Sequence, residues 1–362
     1  MLGCNLDGSL RVTNAGLRPD FPYRALPHLY ALSQRTVRYI VYAQHNDGRS
    51  AVIKGPDDYD FRHIIADMRE IRDAGMYVYA SMSAAWPRWM SEGQPAYEMY
   101  HSWVSDPTTS DADLTWAGPD GSRWRLATPT ERPCMWHPNI PHIDGAQVEA
   151  FSYAFASECA DLIDYVGPDN ERGGRAYWPP VQAPPYEVAY ARAFDEVIIP
   201  FARGYRRGCT GGVATIVGPE ADVESGIGYL CALEQERGYR VYDVLSHHPG
   251  YSWGSPYLEK ALARSDEFMS TARKWALGRP IWSTEGWDFV ADNGQMVDLF
   301  MESERRYPDL RGQFLFHPEL VLFQDGARWN DKGFPFKLSA HGERWKRWVD
   351  GRETTKRRSV SK

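Results

Sequence analysis

Short apolar runs rich in β-branched and aromatic residues alternate along the chain with longer stretches whose apolar positions recur every three or four residues. This is the pattern of parallel βα units. The strand-like runs are Val37–Tyr42, Met76–Ser81, Tyr165–Gly167, Val213–Val217, Val241–Leu245, Pro280–Ser283 and Gln313–Phe316; Met1–Asn5 is a first strand, making eight. Between them, Phe61, Ile64, Ile65, Met68 and Ile71 fall on one helical face ended by Gly75, and Val148, Phe151, Phe155, Cys159 and Leu162 form another. Ala189, Ala193, Val197, Phe201 and Tyr205 recur every fourth residue and continue the series. Eight such units close most naturally into an α/β fold, the (β/α)8 barrel, whose sites lie at the C-terminal ends of its strands. A doubly wound open sheet is the alternative. The rhythm breaks from about residue 86 to 144, where Pro, Gly, Ser, Asp and Trp dominate and no long helix can be read. A structureless loop of that length is foreign to a compact domain, so a β-hairpin excursion or lid is expected after strand three. A single barrel domain is thus expected over residues 1–350, with a basic, flexible tail over 351–362.

Composition narrows the class. The 362 residues would divide into two domains of about 150 residues, but one barrel of about 250 residues with long loops fits as well. Hydrophobic residues make up 43% and charged residues 25%, enough apolar material for a sizeable core and far from the composition of a disordered chain. A net charge of −7 argues against holding nucleic acid or anionic lipid through the overall field. No run approaches the roughly 20 apolar residues that cross a bilayer, so neither nucleic acid nor membrane is expected as a partner. The five cysteines contain no CxxC pair, which favours reduced, buried thiols over a disulfide scaffold. The first residues show no basic region followed by an apolar run. The expectation is therefore a cytoplasmic protein, or a secreted one if a signal has been removed. The surplus is aromatic: 14% of residues, with 14 Trp and 21 Tyr, suits stacking on flat ligand faces as well as packing.

Candidate chemistry lies where carboxylates follow strands. Tyr165-Val166-Gly167-Pro168-Asp169-Asn170-Glu171 places Asn170 and Glu171 after strand four, and Pro280-Ile281-Trp282-Ser283-Thr284-Glu285-Gly286-Trp287 places Glu285 at the end of strand seven. In a closed barrel both enter one mouth. Glycoside hydrolysis needs such a pair, one carboxyl to protonate the leaving oxygen and one to attack the anomeric carbon. Helix capping or simple surface exposure is the competing reading of each carboxylate alone. Glu220 follows strand five and is read either as an acceptor for a substrate hydroxyl or, with Asp222, as a helix N-terminal carboxylate. Trp86, Trp89, Trp178, Trp253, Trp282 and Trp287 fall on or beside loops at the mouth, where two or three would serve as platforms for sugar rings. His247 either donates to a substrate hydroxyl or satisfies a neighbouring carboxylate.

Asn170-Glu171 after strand four and Thr284-Glu285 after strand seven resemble the two signatures of the clan A retaining glycoside hydrolases. Ser83-Ala84-Ala85-Trp86-Pro87-Arg88-Trp89-Met90 is similar to the turn after strand three in xylosidase-like and glucocerebrosidase-like members, and Ser246-His247-His248-Pro249-Gly250-Tyr251 is similar to their strand-six ending; the resemblance as a whole is to xylosidase-, arabinofuranosidase- and glucocerebrosidase-like enzymes of that clan. The resemblance covers about residues 1–317. It implies Glu171 as acid/base, Glu285 as nucleophile, Asn170 as a donor to the sugar 2-hydroxyl, and His247 and Tyr251 in the sugar site. It also implies an oligo- or polysaccharide substrate and no metal or organic cofactor. Two departures are visible: Arg172-Gly173-Gly174 follows the pair where many relatives have proline, and strand two ends in Gln44-His45-Asn46 without the arginine several subfamilies place there. For a retaining reaction the two carboxyls should stand about 5 to 5.5 Å apart.

Three rival constellations are present. Gly250-Tyr251-Ser252-Trp253-Gly254 is a literal G-x-S-x-G with Asp288 and His317 downstream, but Pro249 and Pro256 flank it where a nucleophile elbow needs strand and helix. Cys134, His137 and His142 are three scattered zinc-type ligands without a fourth. A divalent-metal barrel using Glu171, Glu220, His247 and Glu285 is the stronger enzyme alternative, and a non-catalytic carbohydrate-binding barrel is the alternative outside enzymes. The sequence leaves the oligomeric state open.

Overall fold

The computed structural model describes residues 1–6, 21–43, 52–82, 86–93, 103–114, 116–117, 121, 123–126, 134–135, 142–170, 186–212, 214–221, 224–248, 257–286, 293–315, 322 and 337–360. Eight parallel strands form one sheet: β1 (Leu2–Leu6), β2 (Thr36–Val41), β3 (Tyr77–Met82), β4 (Tyr165–Gly167), β5 (Val217–Ala221), β6 (Val244–His247), β7 (Ile281–Gly286) and β8 (Leu310–Leu315). Their order is β4-β3-β2-β1-β8-β7-β6-β5. A parallel bridge between Val166 and Ile216, with the Val166 amide donating to the Thr215 carbonyl at 3.0 Å, joins the two ends of that row. The result is a (β/α)8 barrel.

Helices follow the strands: α1 (Phe21–Ala31), α2 (Arg62–Asp73), α3 (Gly145–Cys159), α4 (Tyr186–Ala193), α5 (Ile199–Gly208), α6 (Glu224–Arg237), α7 (Tyr257–Ala276), α8 (Asn293–Arg306) and α9 (Ala340–Val360), those read from apolar periods being α2, α3 and the α4–α5 stretch. Ile64, Met68 and Ile71 of α2 are buried, and Gly75 leaves the helix at a φ of +79°, which glycine adopts without Cβ strain. Asp144 caps α3 by accepting from the Ala146 amide at 2.9 Å, and Val148, Phe151, Phe155 and Cys159 are its buried stripe. A single π turn, Phe194–Ile198, joins α4 to α5. Trp345 of α9 is fully buried and donates from Nε1 to the Leu32 carbonyl at 2.9 Å, tying the C-terminal helix to the turn before β2. That helix runs to Val360, across most of the segment read as a tail.

Strand alternation sorts side chains into two cores. Val37, Tyr39 and Val41 of β2, and Val78, Ala80 and Met82 of β3, pack into the larger core with the helices' buried faces. Tyr79, Val217, Val244, Trp282 and Phe314 form a separate cluster, with Met1 and Tyr165 against it, which fills the barrel interior. Large rings there need missing ones opposite: a Cβ on Gly312 would stand 2.8 Å from Trp282, and one on Gly3 would stand 2.5 Å from Phe314.

The predicted break holds small antiparallel pieces. Trp103–Ser105, Arg123–Leu126 and Trp116–Ala117 make a three-stranded sheet, and Trp86–Pro87 pairs with Cys134–Met135. Strand five differs from its sequence reading. It runs over Val217–Ala221 rather than ending at Val217, because Gly218-Pro219 lies within the strand. Among the described residues, no helix is long and apolar enough to cross a membrane.

Candidate active site

The barrel interior above the aromatic cluster is polar, and an arginine organises it. Arg38 sits in the middle of β2, fully buried, on the opposite face of the strand from Val37 and Tyr39. A buried guanidinium is tolerated only with anionic partners and satisfied donors, and Arg38 has both. Its Nε and Nη2 donate to Glu220 Oε1 and Oε2 at 2.7 and 2.9 Å, a bidentate fork. Its Nη1 donates to Glu285 Oε1 at 2.5 Å, and Nη2 also reaches Ser81 Oγ at 3.2 Å and the Asn170 side-chain oxygen. Burial alone would lower the Arg38 pKa, but the charges of Glu220 and Glu285 outweigh it and hold the group well above its ordinary value.

Glu220 is the most constrained carboxylate in the site. Oε1 accepts from Arg38 and the Tyr79 hydroxyl, and Oε2 accepts from Arg38 and, at 2.6 Å, from Ser81 Oγ. That fills the roughly four acceptor positions a carboxylate offers. Burial would raise its pKa, yet the Arg38 charge and hydrogen bonds hold it below the usual carboxylate range. Its fully buried carboxylate therefore has neither exposure nor a spare acceptor for a substrate hydroxyl, and it lies within β5 rather than capping a helix. Both sequence readings of Glu220 are corrected.

Glu285, in β7, is 5% exposed. Its Oε1 is held by Arg38, and its Oε2 lies 3.7 Å from His248 Nδ1. Asn170 follows β4; with its side-chain oxygen engaged by Arg38, the remaining capacity of its amide is the donor NH2. These side chains come from β2, β3, β5 and β7 and from just beyond β4 and β6, so the barrel's C-terminal half brings them together.

Several expected site residues lie elsewhere. His247 is on the outward face of β6, stacked on Phe268 of α7 with ring centroids 4.9 Å apart; the following His248 is the histidine beside Glu285. The pleat explains this, since adjacent strand residues point to opposite faces. Trp86 is fully buried in the main core, edge-on to Phe151 at 5.7 Å, and is no sugar platform. Trp282 packs at 4.8 Å on Tyr165 and 5.6 Å on Phe314 inside the barrel. It stands three residues before Glu285, about 10 Å deeper along the strand. Trp89 is partly buried against the main core. Glu171, Tyr251, Trp178, Trp253 and Trp287 lie outside the described residues, as do the G-x-S-x-G segment, Asp288, His317 and His137.

Sequence reasoning missed Arg38 by looking for the arginine after strand two rather than within it. The available signal was a charge in Thr36-Val37-Arg38-Tyr39-Ile40-Val41, a run otherwise suited to a strand buried on both faces. The four-ligand metal site loses two members, because Glu220 is saturated and His247 faces α7. His142 pairs through Nδ1 with Glu196 Oε1 at 2.5 Å.

His247 has a consequence for stability. Burial, with the nearby His248, lowers its pKa from 6.5 to about 3. The folded state therefore refuses a proton that the unfolded chain accepts below pH 6.5, and stability is lost as pH falls from about 6.5 toward 3. Between pH 7 and 5 this amounts to about 2 kcal/mol. Urea unfolding at the two pH values should show that loss in the wild type and a loss smaller by about this amount in His247→Leu. An equal loss in both would place the histidine's proton elsewhere.

No protein-family model and no curated protein matches the chain. Solved structures do. A GH5-4 broad specificity endoglucanase from an uncultured bacterium matches with a TM-score of 0.56 at 11% identity, covering 96% of this chain and 93% of that one. A fungal β-1,4-galactanase matches with a TM-score of 0.52 at 13% identity, over 96% and 98%. A monomeric β-xylosidase from Caulobacter crescentus CB15 matches with a TM-score of 0.54 at 13% identity, over 87% of this chain but 59% of that one. The chain likewise spans 56% of a trimodular GH5_4 subfamily endoglucanase. At these identities the likeness shows the fold alone, a (β/α)8 barrel.

Proposed function

We propose that this protein is a retaining glycoside hydrolase acting on an oligo- or polysaccharide, with Glu285 as nucleophile and Glu171 as acid/base. The observation that carries the reading is the Arg38–Glu285 contact. A carboxylate at a barrel mouth, held through one oxygen by a permanently charged guanidinium, is kept ionised and oriented, as a nucleophile must be. Glu285 attacks the anomeric carbon while Glu171 gives its proton to the leaving oxygen. Water then attacks the glycosyl-enzyme ester with Glu171 taking the proton back. Asn170, its oxygen tied to Arg38, offers its N–H groups to a substrate hydroxyl, and the stronger that bond becomes in the transition state, the more it accelerates the step. The endoglucanase, galactanase and xylosidase neighbours support a carbohydrate substrate, with glucosyl, galactosyl, xylosyl or arabinosyl linkages as the panel to try.

The test is turnover of activated aryl glycosides by wild type and Glu171→Ala, with and without azide. The wild type should cleave at least one member. Glu171→Ala should lose about 10²- to 10⁴-fold on the poorer leaving groups, the range for general acid–base catalysis, and regain turnover with azide as a glycosyl azide of retained configuration. Cleavage with full activity in the variant would remove Glu171 from the role. Tight binding of an oligosaccharide without turnover would favour the non-catalytic barrel.

A further inference from the structure

Glu220 is ionised, buried and aimed at the same guanidinium as the nucleophile, yet the reaction above gives it no step. Its backbone is held at a φ of +50°, a left-handed conformation that is strained for a non-glycine residue. Its amide is anchored on Ser246 Oγ at 3.0 Å. Four hydrogen bonds converge on its carboxylate. The Arg38–Glu220 pair as a whole is not something folding alone requires, since apolar residues of similar volume in place of both partners stabilise a core as well or better. What Glu220 has that an apolar residue lacks is charge next to Arg38.

We propose that Glu220 is a positioning residue acting through Arg38: it fixes the guanidinium by its fork and takes up part of its charge, so that Glu285 keeps the proton affinity of an effective nucleophile. The inference rests on the nucleophile assignment above. The geometry gives its sign. Arg38 binds Glu220 through two nitrogens and Glu285 through one, so the two carboxylates compete for one positive charge. Without Glu220 the whole charge falls on Glu285, which becomes a weaker base. Titratable groups facing the cluster include Tyr79 of β3, bonded to Glu220, and His248 after β6, beside Glu285 and near enough to Glu220 to act on its charge; both remain when Glu220 is changed.

The experiment follows the Glu285 carboxyl directly, by carbon NMR of protein labelled at glutamate side-chain carboxyls and assigned by its absence in Glu285→Gln. Glu220→Gln keeps the shape and removes the charge, and should move the Glu285 titration down by about 1 to 2 pH units. Glu220→Asp keeps the charge and disturbs the shape, and should leave it within about half a unit, well inside the spread packing alone produces. The acid limb of kcat/KM should follow the same order. A purely structural role predicts the reverse ranking: an unmoved titration in Glu220→Gln and the larger disturbance in Glu220→Asp, and that result overturns the proposal. If Glu220→Gln does not fold, Glu220→Asp alone decides, a titration moved by a full unit or more counting against. The titration needs no turnover, so failure of this coupling is distinguishable from failure of the glycosidase reading, which would show as glycosides left intact by the wild type or cleaved as well by Glu285→Ala.

Discussion

Glu285→Ala is expected to lower kcat on an activated aryl glycoside by roughly 10⁴-fold or more, the scale on which removing an enzyme nucleophile acts. That is about 5.4 kcal/mol on the barrier. The deletion opens space beside Arg38 Nη1, while the guanidinium stays in place because Glu220 still holds its Nε and Nη2. An azide ion is small, anionic and drawn to that unpaired charge. It should enter the space and attack the anomeric carbon from the side the carboxylate used, giving a glycosyl azide of inverted configuration. The anomeric coupling in the product's NMR spectrum reads the result. Full turnover in Glu285→Ala would remove the residue from the chemistry. Turnover lost and not restored, in a variant that unfolds at the wild-type urea concentration, would assign Glu285 to orienting Arg38 instead.

The barrel was legible because its signal is repeated. Eight apolar runs alternating with helical periods leave few architectures, and errors of up to four residues at strand ends do not change the count. The site was less legible because it depends on phase rather than period. His247 and His248 are adjacent, and which one enters the barrel follows from where β6 begins, a boundary sequence reading places only approximately. Glu220 fails for a related reason: Gly218-Pro219 reads as the end of a strand, yet the strand continues through it to Ala221. One misplaced boundary turned a buried interior anion into a capping residue or a substrate contact. Trp86 and Trp282 show the limit of composition, because an aromatic near a strand end serves packing and sugar stacking equally well until its depth is known. Arg38 was open to deduction. A charge inside an otherwise buried parallel strand needs a carboxylate facing it, and the pair already chosen at the mouth offered Glu285.

Arg38→Met should destabilise the protein by about 3–5 kcal/mol, the cost of leaving buried charge without its partner. Two buried carboxylates lose the guanidinium, and Glu220 is the more deeply placed: it is fully buried and keeps only the Tyr79 and Ser81 hydroxyls on its carboxylate once the arginine is gone. Urea unfolding monitored by tryptophan fluorescence, with refolding verified, measures the loss. Adding Glu220→Gln removes the stranded charge, its oxygen accepting from one hydroxyl and its NH2 donating to the other, so Arg38→Met/Glu220→Gln should recover at least about 2 kcal/mol of it, a coupling typical of residues in one buried network. A single-variant cost under about 1 kcal/mol, or strictly additive effects, would contradict a buried pair. Activity should not follow stability. Glu285 still lacks the Arg38 contact in the double variant, so kcat/KM stays low after the fold is restored. Recovery of stability without recovery of turnover would separate the two uses of the guanidinium. Its pairing with Glu220 decides whether the interior tolerates it, and its contact with Glu285 is the reason to have it there.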